Sequence, residues 1–274
     1  MKQFAKPRNQ ARKAVSRVLA LGQPRHGNSG DGKIHSVGTA RTYEQSLKLV
    51  VEWDRANGGN GINSIDRARA IAYLTDRAKQ VTQKTLDRDR QALQILPGLT
   101  DLPRIKSAVR TSGHGDMGRA YTPEQIAMVA AAQEGPNRLA TEIASAAGLR
   151  AHELFTLRPL HERPASSHRT WSADRFVGMR NVTRYTVVGK GGLVREVAIP
   201  AALVERLEEM RLPAPHQVTD RSVHYETRYD LRGGHAWSQS YSDAAKRVLG
   251  WSTGAHGIRH TYAQIRLRTI QSLS

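Results

Sequence analysis

The sequence predicts a mainly α-helical protein with one small β-hairpin or sheet. Apolar residues recur three and four positions apart through most of the chain, which is the period of an amphipathic helix. Residues 186–200 join two β-branched runs through a Gly-rich turn, which is the pattern of a hairpin. The 274 residues are enough for two domains that each bury a core.

The charge of the chain favours a polyanionic partner. Lys plus Arg number 42 against 24 Asp plus Glu, which gives a net charge of +18 and a pI near 10.8. Nucleic acid is the leading partner. An anionic membrane surface would require a basic amphipathic helix with a bulky apolar face, and the chain has no such pattern. The sequence shows no membrane span, signal segment or cysteine, so we expect a cytoplasmic protein.

Residues 1–35 are predicted to form a basic N-terminal arm. They carry eight Lys or Arg residues against the single Asp31, a balance of 8 minus 1, or +7. Ala11 and Val15 are spaced as on one face of a helix, whereas residues 22–32 are rich in Gly. Two interpretations stay open, a solvated disordered tail and a DNA-contacting arm.

Residues 36–111 are predicted to form a small helical bundle. Apolar stripes define three helices, of which the second begins near Ser64 and the third near Thr82. The charged outer face of the third helix could lie against phosphates, although such a face is by default simply solvated. The candidate DNA contacts are Lys84, Arg88, Arg90, Lys106, Arg110 and Arg119.

A linker and a second domain are predicted to follow. Residues 112–119 are small, polar and rich in Gly, without helical period. Thr122, Pro123 and Gln125 then supply a helix cap, a first-turn proline and the third position of a capping box. We therefore expect a second domain over residues 120–274.

Two segments of this second domain, residues 160–180 and 216–235, show no hydrophobic period from which a helix or strand could be assigned. His161 and Glu162 in the first segment suggest a metal, but no His-Glu-x-x-His pair lies on a helix and the chain has no Cys. We therefore expect no metal site. The tryptophans expected in the core of this domain are Trp237 and Trp251.

Three short motifs combine residue types that suit phosphate chemistry. Arg150 follows Gly148, a predicted helix end, so the arginine has a fixed place at a turn. Lys190 is at the tip of the predicted hairpin. His256 and Arg259 are three residues apart, so one helical turn presents both side chains to the same ligand. Each motif alone is a weak signal.

In this order the three motifs resemble those of the tyrosine recombinases, the phage-type integrases and Xer-like resolvases. They read Gly-Leu-Arg-x-x-Glu-Leu from residue 148, Val-x-Gly-Lys-Gly around residue 190 and His-x-x-Arg-His-Thr from residue 256. The resemblance covers about residues 37–274. It implies a helical core-binding domain over residues 36–111 and a mixed α+β catalytic domain over residues 120–274.

The resemblance also implies a function. Members of this family are site-specific recombinases of mobile genetic elements that bind duplex DNA and cleave and rejoin strands through a 3′-phosphotyrosyl intermediate. They use no cofactor and work as tetramers on DNA. We accordingly expect double-stranded DNA as the partner, no cofactor, no small-molecule ligand, no membrane and a nucleoid-associated location.

The resemblance assigns a role to each motif residue. Arg150 and Arg259 would each hold the phosphate through a planar guanidinium fork, which Lys cannot supply. Lys190 would protonate the leaving 5′ oxygen, and His256 would take the proton of the nucleophile or add a hydrogen bond. Glu153 would orient the guanidinium group of Arg150.

The nucleophile departs from the family pattern. The family places a Tyr one to two helices beyond the His-x-x-Arg motif, after a His or Trp that contacts the phosphate. This sequence ends at Ser274, 274 minus 259 or 15 residues after Arg259, so both groups are expected to be absent. Tyr262 shares an apolar stripe with Ile258 and Ile265, which predicts a core residue and not a nucleophile.

Three interpretations follow for the chain. The first is a C-terminally truncated recombinase that binds DNA without cleaving it. The second is a noncatalytic DNA-binding remnant or regulator of an intact recombinase. The third is an unrelated basic protein whose motifs arose by chance, in which Arg150, Lys190, His256 and Arg259 do not converge.

Overall fold

The computed structural model describes residues 5–23, 31–109 and 118–273, without the side chain of Lys190. The chain divides into two compact units, Met1–Gly115 and Asp116–Ser274. Helices dominate both units and the described strands form two small antiparallel sheets, so the predicted fold class is confirmed. Within these ranges, no helix combines the length and the apolar composition that crossing a membrane requires.

Unit 1 is a helical bundle. Its third helix begins after Asp66, whose carboxylate accepts a hydrogen bond from the Arg69 backbone N–H at 2.8 Å. The predicted cap, Ser64, lies instead in the preceding 3₁₀ turn, Ile62–Ser64. The helices of this unit are α1 (Pro7–Ser16), α2 (Val37–Ala56), α3 (Arg67–Arg77) and α4 (Gln83–Leu93).

Helix α1 belongs to the core of unit 1. Ala11, Ala14 and Val15 are buried in the same cluster as the apolar face of α2. For residues 7–16 the interpretation as a disordered tail is therefore wrong, because a helix with a buried face holds this part of the basic segment. The cationic side chains of the helix and of the residue that follows it are exposed, and they are Arg8, Arg12, Lys13 and Arg17.

Unit 2 joins helices to a three-stranded antiparallel sheet of order β1-β2-β3. The predicted capping box is present, because Thr122 Oγ1 accepts from the Gln125 N–H at 3.2 Å and Gln125 Oε1 accepts from the Thr122 N–H at 2.9 Å. The helices are α5 (Pro123–Ala131), α6 (Gly135–Ala147), α7 (Ala201–Glu208), α8 (Gly234–Leu249) and α9 (His256–Leu273). The strands of this sheet are β1 (Arg158–Pro159), β2 (Val182–Val188) and β3 (Val194–Pro200).

The segment between β1 and β2 covers the outer face of this sheet. Thr186 and Glu196 are paired on that face. Thr186 is fully buried and accepts a hydrogen bond from Arg163 Nε at 3.1 Å, while Glu196 pairs with Arg175 at 2.7 Å. The Phe176 ring also lies against a β2 arginine on this face. The previously unassigned residues 160–180 therefore form a cover for the sheet.

The second unassigned segment, residues 216–235, largely belongs to a two-stranded sheet. Strands β4 (Arg211–Asp220) and β5 (Val223–Tyr229) pair antiparallel. Their register is irregular between Arg211 and His216, where Pro213 and Pro215 have no N–H to donate to the ladder. We expected these prolines to stop α7, but α7 ends earlier, at Glu208, and both prolines lie within β4, where a strand replaces the irregular chain expected.

The two predicted core tryptophans have different environments. Trp237 is 1% exposed and belongs to the core of unit 2. Trp251 is 41% exposed, so its assignment to the core is wrong. Its ring stacks on Tyr121 with 5.1 Å between ring centroids and 3° between planes.

Candidate phosphate-binding site

The Arg150 turn begins where α6 ends. Gly148 adopts φ +61°, the left-handed conformation that glycine tolerates best. A Cβ atom at this residue would collide with the ring of Tyr262, so the close approach of α9 also requires glycine. Arg150 then precedes a 3₁₀ helix, Ala151–Thr156, in extended backbone conformation. The prediction of a helix-ending glycine followed by an arginine at a turn is confirmed.

Glu153 is the buried centre of the site. Its carboxylate is 0% exposed and accepts from the Arg150 backbone N–H at 2.8 Å and from Arg150 Nη1 at 2.9 Å. Burial favours the neutral acid, but the charges and hydrogen bonds of Arg195 and Arg150 outweigh it and hold the pKa of Glu153 below its ordinary value. Glu153 is therefore a carboxylate at neutral pH and holds Arg150 by two donors.

Arg195 is a member of the site that the sequence analysis missed. Its Nη2 donates to Glu153 Oε2 at 2.7 Å and to the Gly148 carbonyl oxygen at 3.4 Å. The signal was present in the strand period, because Val197 is buried and residues two apart in a strand share one face. A charged residue on the core-facing side of β3 requires a partner, and Glu153 provides it.

Helix α9 carries the second arginine motif into the same site. Arg259 Nη1 donates to the Gly148 carbonyl oxygen and lies 4.0 Å from Glu153 Oε2. Gly257 allows this approach, since a Cβ there would lie 2.5 Å from the Arg119 carbonyl oxygen. Three guanidinium groups therefore surround one buried carboxylate, which leaves 3 minus 1, or two, positive charges uncompensated within this cluster.

His256 begins the same helix and experiences this charge. Burial lowers the pKa of His256 below its ordinary value, and the charges of His260, Arg259 and Arg150 lower it further. Its ring meets that of His260 edge-on, with 5.0 Å between centroids. The lowered pKa favours the neutral imidazole, which is the form that can accept a proton.

The predicted hairpin is present, with Lys190 at its tip. Residues Lys190–Gly192 form the turn, which the Gly189 N–H closes by donating to the Leu193 carbonyl oxygen at 2.7 Å. Gly191 has φ +79°, as a tight turn of this kind requires. The side chain of Lys190 lies outside the described residues, so its role stays a prediction.

The candidate DNA contacts of unit 1 do not form one face. Lys84 is exposed and Arg88 is half-buried one turn later on α4. Arg90 points elsewhere, because its Nη1 donates to the Leu102 carbonyl oxygen at 3.2 Å, so the prediction of a shared outer face fails for this residue. Lys106 is exposed and Arg110 lies outside the described residues.

Arg119, in unit 2, is exposed near the start of α9. Its backbone carbonyl accepts a hydrogen bond from Thr253 Oγ1 at 2.8 Å. Its charge is also among those that lower the pKa of His256. This candidate DNA contact therefore adds positive charge beside the cluster of arginines.

Tyr262 differs from its predicted environment. It is half-buried and its ring packs against Gly148, whereas Ile258 is fully buried and Ile265 is 43% exposed. The predicted apolar stripe is therefore wrong beyond Ile258. Burial raises the pKa of the Tyr262 phenol above its ordinary value, although Arg266, Arg195 and Arg259 act in the opposite direction.

The site thus brings together Arg150, His256 and Arg259 with Glu153 and Arg195. This convergence contradicts the interpretation of chance motifs for the three motif residues whose side chains are described. Across the parts of the chain that the structure describes, no group of three or more His, Asp or Glu side chains is arranged to hold a metal ion. The donors present suit an oxyanion such as phosphate.

Comparison with known proteins gives matches of two kinds. Residues 32–96 match the phage integrase N-terminal SAM-like domain. Two structures of the XerH site-specific recombinase resemble the chain at 14% identity, a pre-cleavage complex with difH and a post-cleavage complex with palindromic difH. The first covers 98% of this chain and 88% of that chain with a TM-score of 0.50. The second covers 99% and 88% with a TM-score of 0.53.

No curated protein sequence matches the chain. The structural likeness establishes the fold, and the domain match establishes the kind of domain that occupies residues 32–96. Both agree with the resemblance that the three sequence motifs indicate. The chain therefore has the fold of the tyrosine recombinases and contains the N-terminal SAM-like domain of the phage integrases.

Proposed function

We propose that the chain is a site-specific DNA recombinase or integrase of the tyrosine type, and that unit 2 holds a DNA phosphate between Arg150 and Arg259. The observation that carries this proposal is the cluster of three guanidinium groups around the single carboxylate of Glu153. A partly exposed site with two uncompensated positive charges favours an anionic ligand. The net charge of +18 extends that preference to a polyanion.

The residues suit phosphoryl transfer without a metal. As phosphorus becomes five-coordinate, negative charge grows on its nonbridging oxygens, and two guanidinium forks can donate paired hydrogen bonds to them. Arg150 and Arg259 have side-chain exposures of 35% and 31%, so both reach solvent. Neutral His256 would accept the proton of the nucleophile, and Lys190 would protonate the leaving oxygen.

Each unit has a proposed part in DNA binding. Residues 36–111 would grip the duplex as a core-binding domain, with Lys84 and Lys106 as exposed candidates for phosphate contacts. Residues 120–274 would form the catalytic domain. On DNA we propose the tetrameric assembly that the family resemblance implies. The relatives of known structure support a duplex partner, since XerH is described as bound to its difH substrate.

Strand cleavage further requires a tyrosine beside the bound phosphate. Of the eight tyrosines, five are no more than 2% exposed, which gives them no access to a phosphate. Tyr43 lies on α2 of unit 1. The Tyr225 ring lies against Phe155 and His152, and burial raises the pKa of its phenol. Tyr262 packs against Gly148, and the pKa of its phenol is raised. We therefore propose that these 274 residues bind DNA without cleaving it. Regulation of an intact recombinase by DNA occupancy is the alternative that this observation favours.

Two measurements on the 274-residue chain test the proposal. Fluorescence anisotropy with a labelled duplex should show binding that weakens steeply with salt, because contacts to phosphate dominate. Salt-insensitive binding, or none at low ionic strength, would contradict any DNA-binding function. Incubation with duplex DNA followed by denaturing electrophoresis should give no covalent adduct. An adduct that maps to Tyr262 would contradict the noncatalytic part of the proposal.

A further inference from the structure

We propose that Arg195 is a positioning residue of the phosphate site, which occupies Glu153 Oε2 so that Arg259 stays available for a phosphate beside Arg150. The same contact would fasten the hairpin that carries Lys190 to the Arg150 turn. This inference rests on the function proposed above. It assigns a task to an arginine that lies outside the three motifs.

The first step is the occupancy of one carboxylate oxygen. Glu153 Oε2 accepts from Arg195 Nη2 at 2.7 Å and from the Arg150 backbone N–H at 2.8 Å. Arg259 Nη1 remains 4.0 Å from the same oxygen, beyond hydrogen-bond distance. Because Arg195 already neutralises this oxygen, Arg259 is not drawn into a direct bond with it.

The second step is the difference in exposure among the three arginines. The side chain of Arg195 is 19% exposed, compared with 35% for Arg150 and 31% for Arg259. The least exposed guanidinium thus occupies Glu153 Oε2, while Arg150, bound to Oε1, and Arg259 keep more of their surface in solvent. A buried carboxylate without this partner would recruit the next available cation.

The third step is the attachment of the hairpin. Arg195 is on β3, the second strand of the hairpin, and Gly189 lies between the end of β2 and the turn. A Cβ atom on Gly189 would lie 3.3 Å from Glu153 Oε1. Glu153 therefore bonds to Arg195 on one side of the hairpin base and lies close to Gly189 on the other, one residue before Lys190. The Arg195–Glu153 pair fixes where the turn begins relative to Arg150.

The test compares Arg195→Met with wild type in the full 274-residue chain. Inorganic phosphate is the probe, and binding is followed by NMR titration of the arginine side-chain N–H signals. Without Arg195, Glu153 should capture Arg259, and the dissociation constant for phosphate should rise about tenfold, as expected for one lost charge-assisted contact. Arg195→Lys, which keeps one charged donor, should restore most of the affinity.

Arg184→Met is the matched control. Arg184 belongs to β2 of the same sheet and pairs with Glu196 at 2.8 Å, on the face opposite Glu153. Its replacement removes an arginine–glutamate pair without touching the site and should leave phosphate binding unchanged. Phosphate affinity in Arg195→Met that equals wild type, or that falls no further than in this control, would overturn the proposal.

A second readout separates positioning from a purely structural role. If Arg259 turns towards Glu153 in Arg195→Met, its charge moves away from His256, and the pKa of His256 should rise towards its ordinary value. A general loss of packing gives no such directed change. An unaltered His256 titration in a folded Arg195→Met chain would overturn the proposal.

Two further outcomes are decisive. If Arg195→Met does not fold, Arg195→Gln keeps a neutral donor to Glu153 and should weaken phosphate binding in the same direction, and wild-type affinity in that variant would overturn the proposal. If wild type binds neither phosphate nor duplex DNA, the proposed function itself fails. If wild type binds both and Arg195→Met binds both equally well, only the role of Arg195 fails.

Discussion

Asp54 in unit 1 and Glu153 in unit 2 are both fully buried carboxylates, but their partners differ. Asp54 accepts from Arg69 Nε at 2.5 Å, from Ser64 Oγ at 2.7 Å and from the Gly61 N–H at 2.8 Å. One charged and two neutral donors therefore balance it. Glu153 has three arginines around it, two of which reach solvent.

The comparison separates a structural ion pair from a binding site. Burial and a lowered pKa are common to both carboxylates, so neither property marks function by itself. The charge balance distinguishes them. A balanced pair such as Asp54–Arg69 joins helix α2 to helix α3, whereas a surplus of guanidinium groups leaves donors for a ligand.

The largest expected effect is the loss of stability when the hydrogen bonds around Asp54 are disturbed. Asp54→Asn should lower the free energy of unfolding by about 3 kcal/mol, because it removes the charge that the buried donors face. Urea denaturation followed by circular dichroism measures this loss. Glu52→Gln on α2, which breaks an exposed pair with Lys48, is the control and should cost less than about 1 kcal/mol. Equal losses in the two variants would contradict the structural role of Asp54.

Acid should destabilise the chain through both carboxylates. Burial opposes ionisation of Asp54, but the bonds from Ser64, Gly61 and Arg69 hold its pKa below the ordinary 3.8, and the pKa of Glu153 is held below 4.5. Since each folded pKa lies below its unfolded value, this stabilisation is complete above the ordinary pKa and is lost as pH falls through the folded pKa. The urea midpoint should therefore decrease below about pH 4.5. A midpoint that stays constant down to about pH 3 would contradict the assignment.

At the phosphate site around Glu153, a substitution should weaken ligand binding more than it lowers the stability of the fold. Arg259→Gln should raise the dissociation constant for inorganic phosphate about tenfold. The free energy of unfolding should change by less than about 1 kcal/mol, because lower repulsion from Arg150 and Arg195 offsets the lost bond to Gly148. NMR titration and urea denaturation provide the two numbers. A destabilisation as large as that of Asp54→Asn would make Arg259 a structural residue.

The smallest expected effect concerns His256. Burial and the neighbouring cations place its pKa below the ordinary 6.5, so the ring should titrate below that value in the free chain. A bound phosphate compensates the cations and should raise the His256 pKa by about half a unit. Side-chain NMR with and without phosphate detects the change. A free-chain midpoint above 6.5 would show that the guanidinium groups do not act on this ring.

The sequence was sufficient wherever local chemistry decides the structure. Gly148 ends a helix, Thr122 caps one, and the Gly-rich turn at Lys190 joins two strands, each for reasons that the residue types contain. The spacing of His256 and Arg259 likewise placed both on one helix. Their convergence with Arg150 came from the family resemblance, since contacts across more than a hundred residues are not visible in local spacing.

The failures concern residues whose environment is set by tertiary packing. The helical spacing of Ala11 and Val15 was visible in the basic N-terminal segment, but the sequence did not show that this face packs into the core of unit 1. Trp251 was expected in the core, yet it stacks on Tyr121 at the surface. Arg195 was missed because its partner, Glu153, lies in another element of unit 2. Hydrophobicity and charge predict burial on average, but the burial of an individual residue depends on contacts with residues far away in the sequence.

Gly148 has no functional group, yet a saturation mutagenesis experiment should find it as intolerant as Arg150. Any side chain there would displace the ring of Tyr262, and with it the helix that carries Arg259. The carbonyl oxygen of the same glycine accepts hydrogen bonds from Arg195 and Arg259. Gly148, which has no side chain, thus fixes the relative position of two arginine motifs that are 259 minus 150, or 109, residues apart. The identity of residue 148 should therefore be constrained by the position of its main-chain carbonyl oxygen.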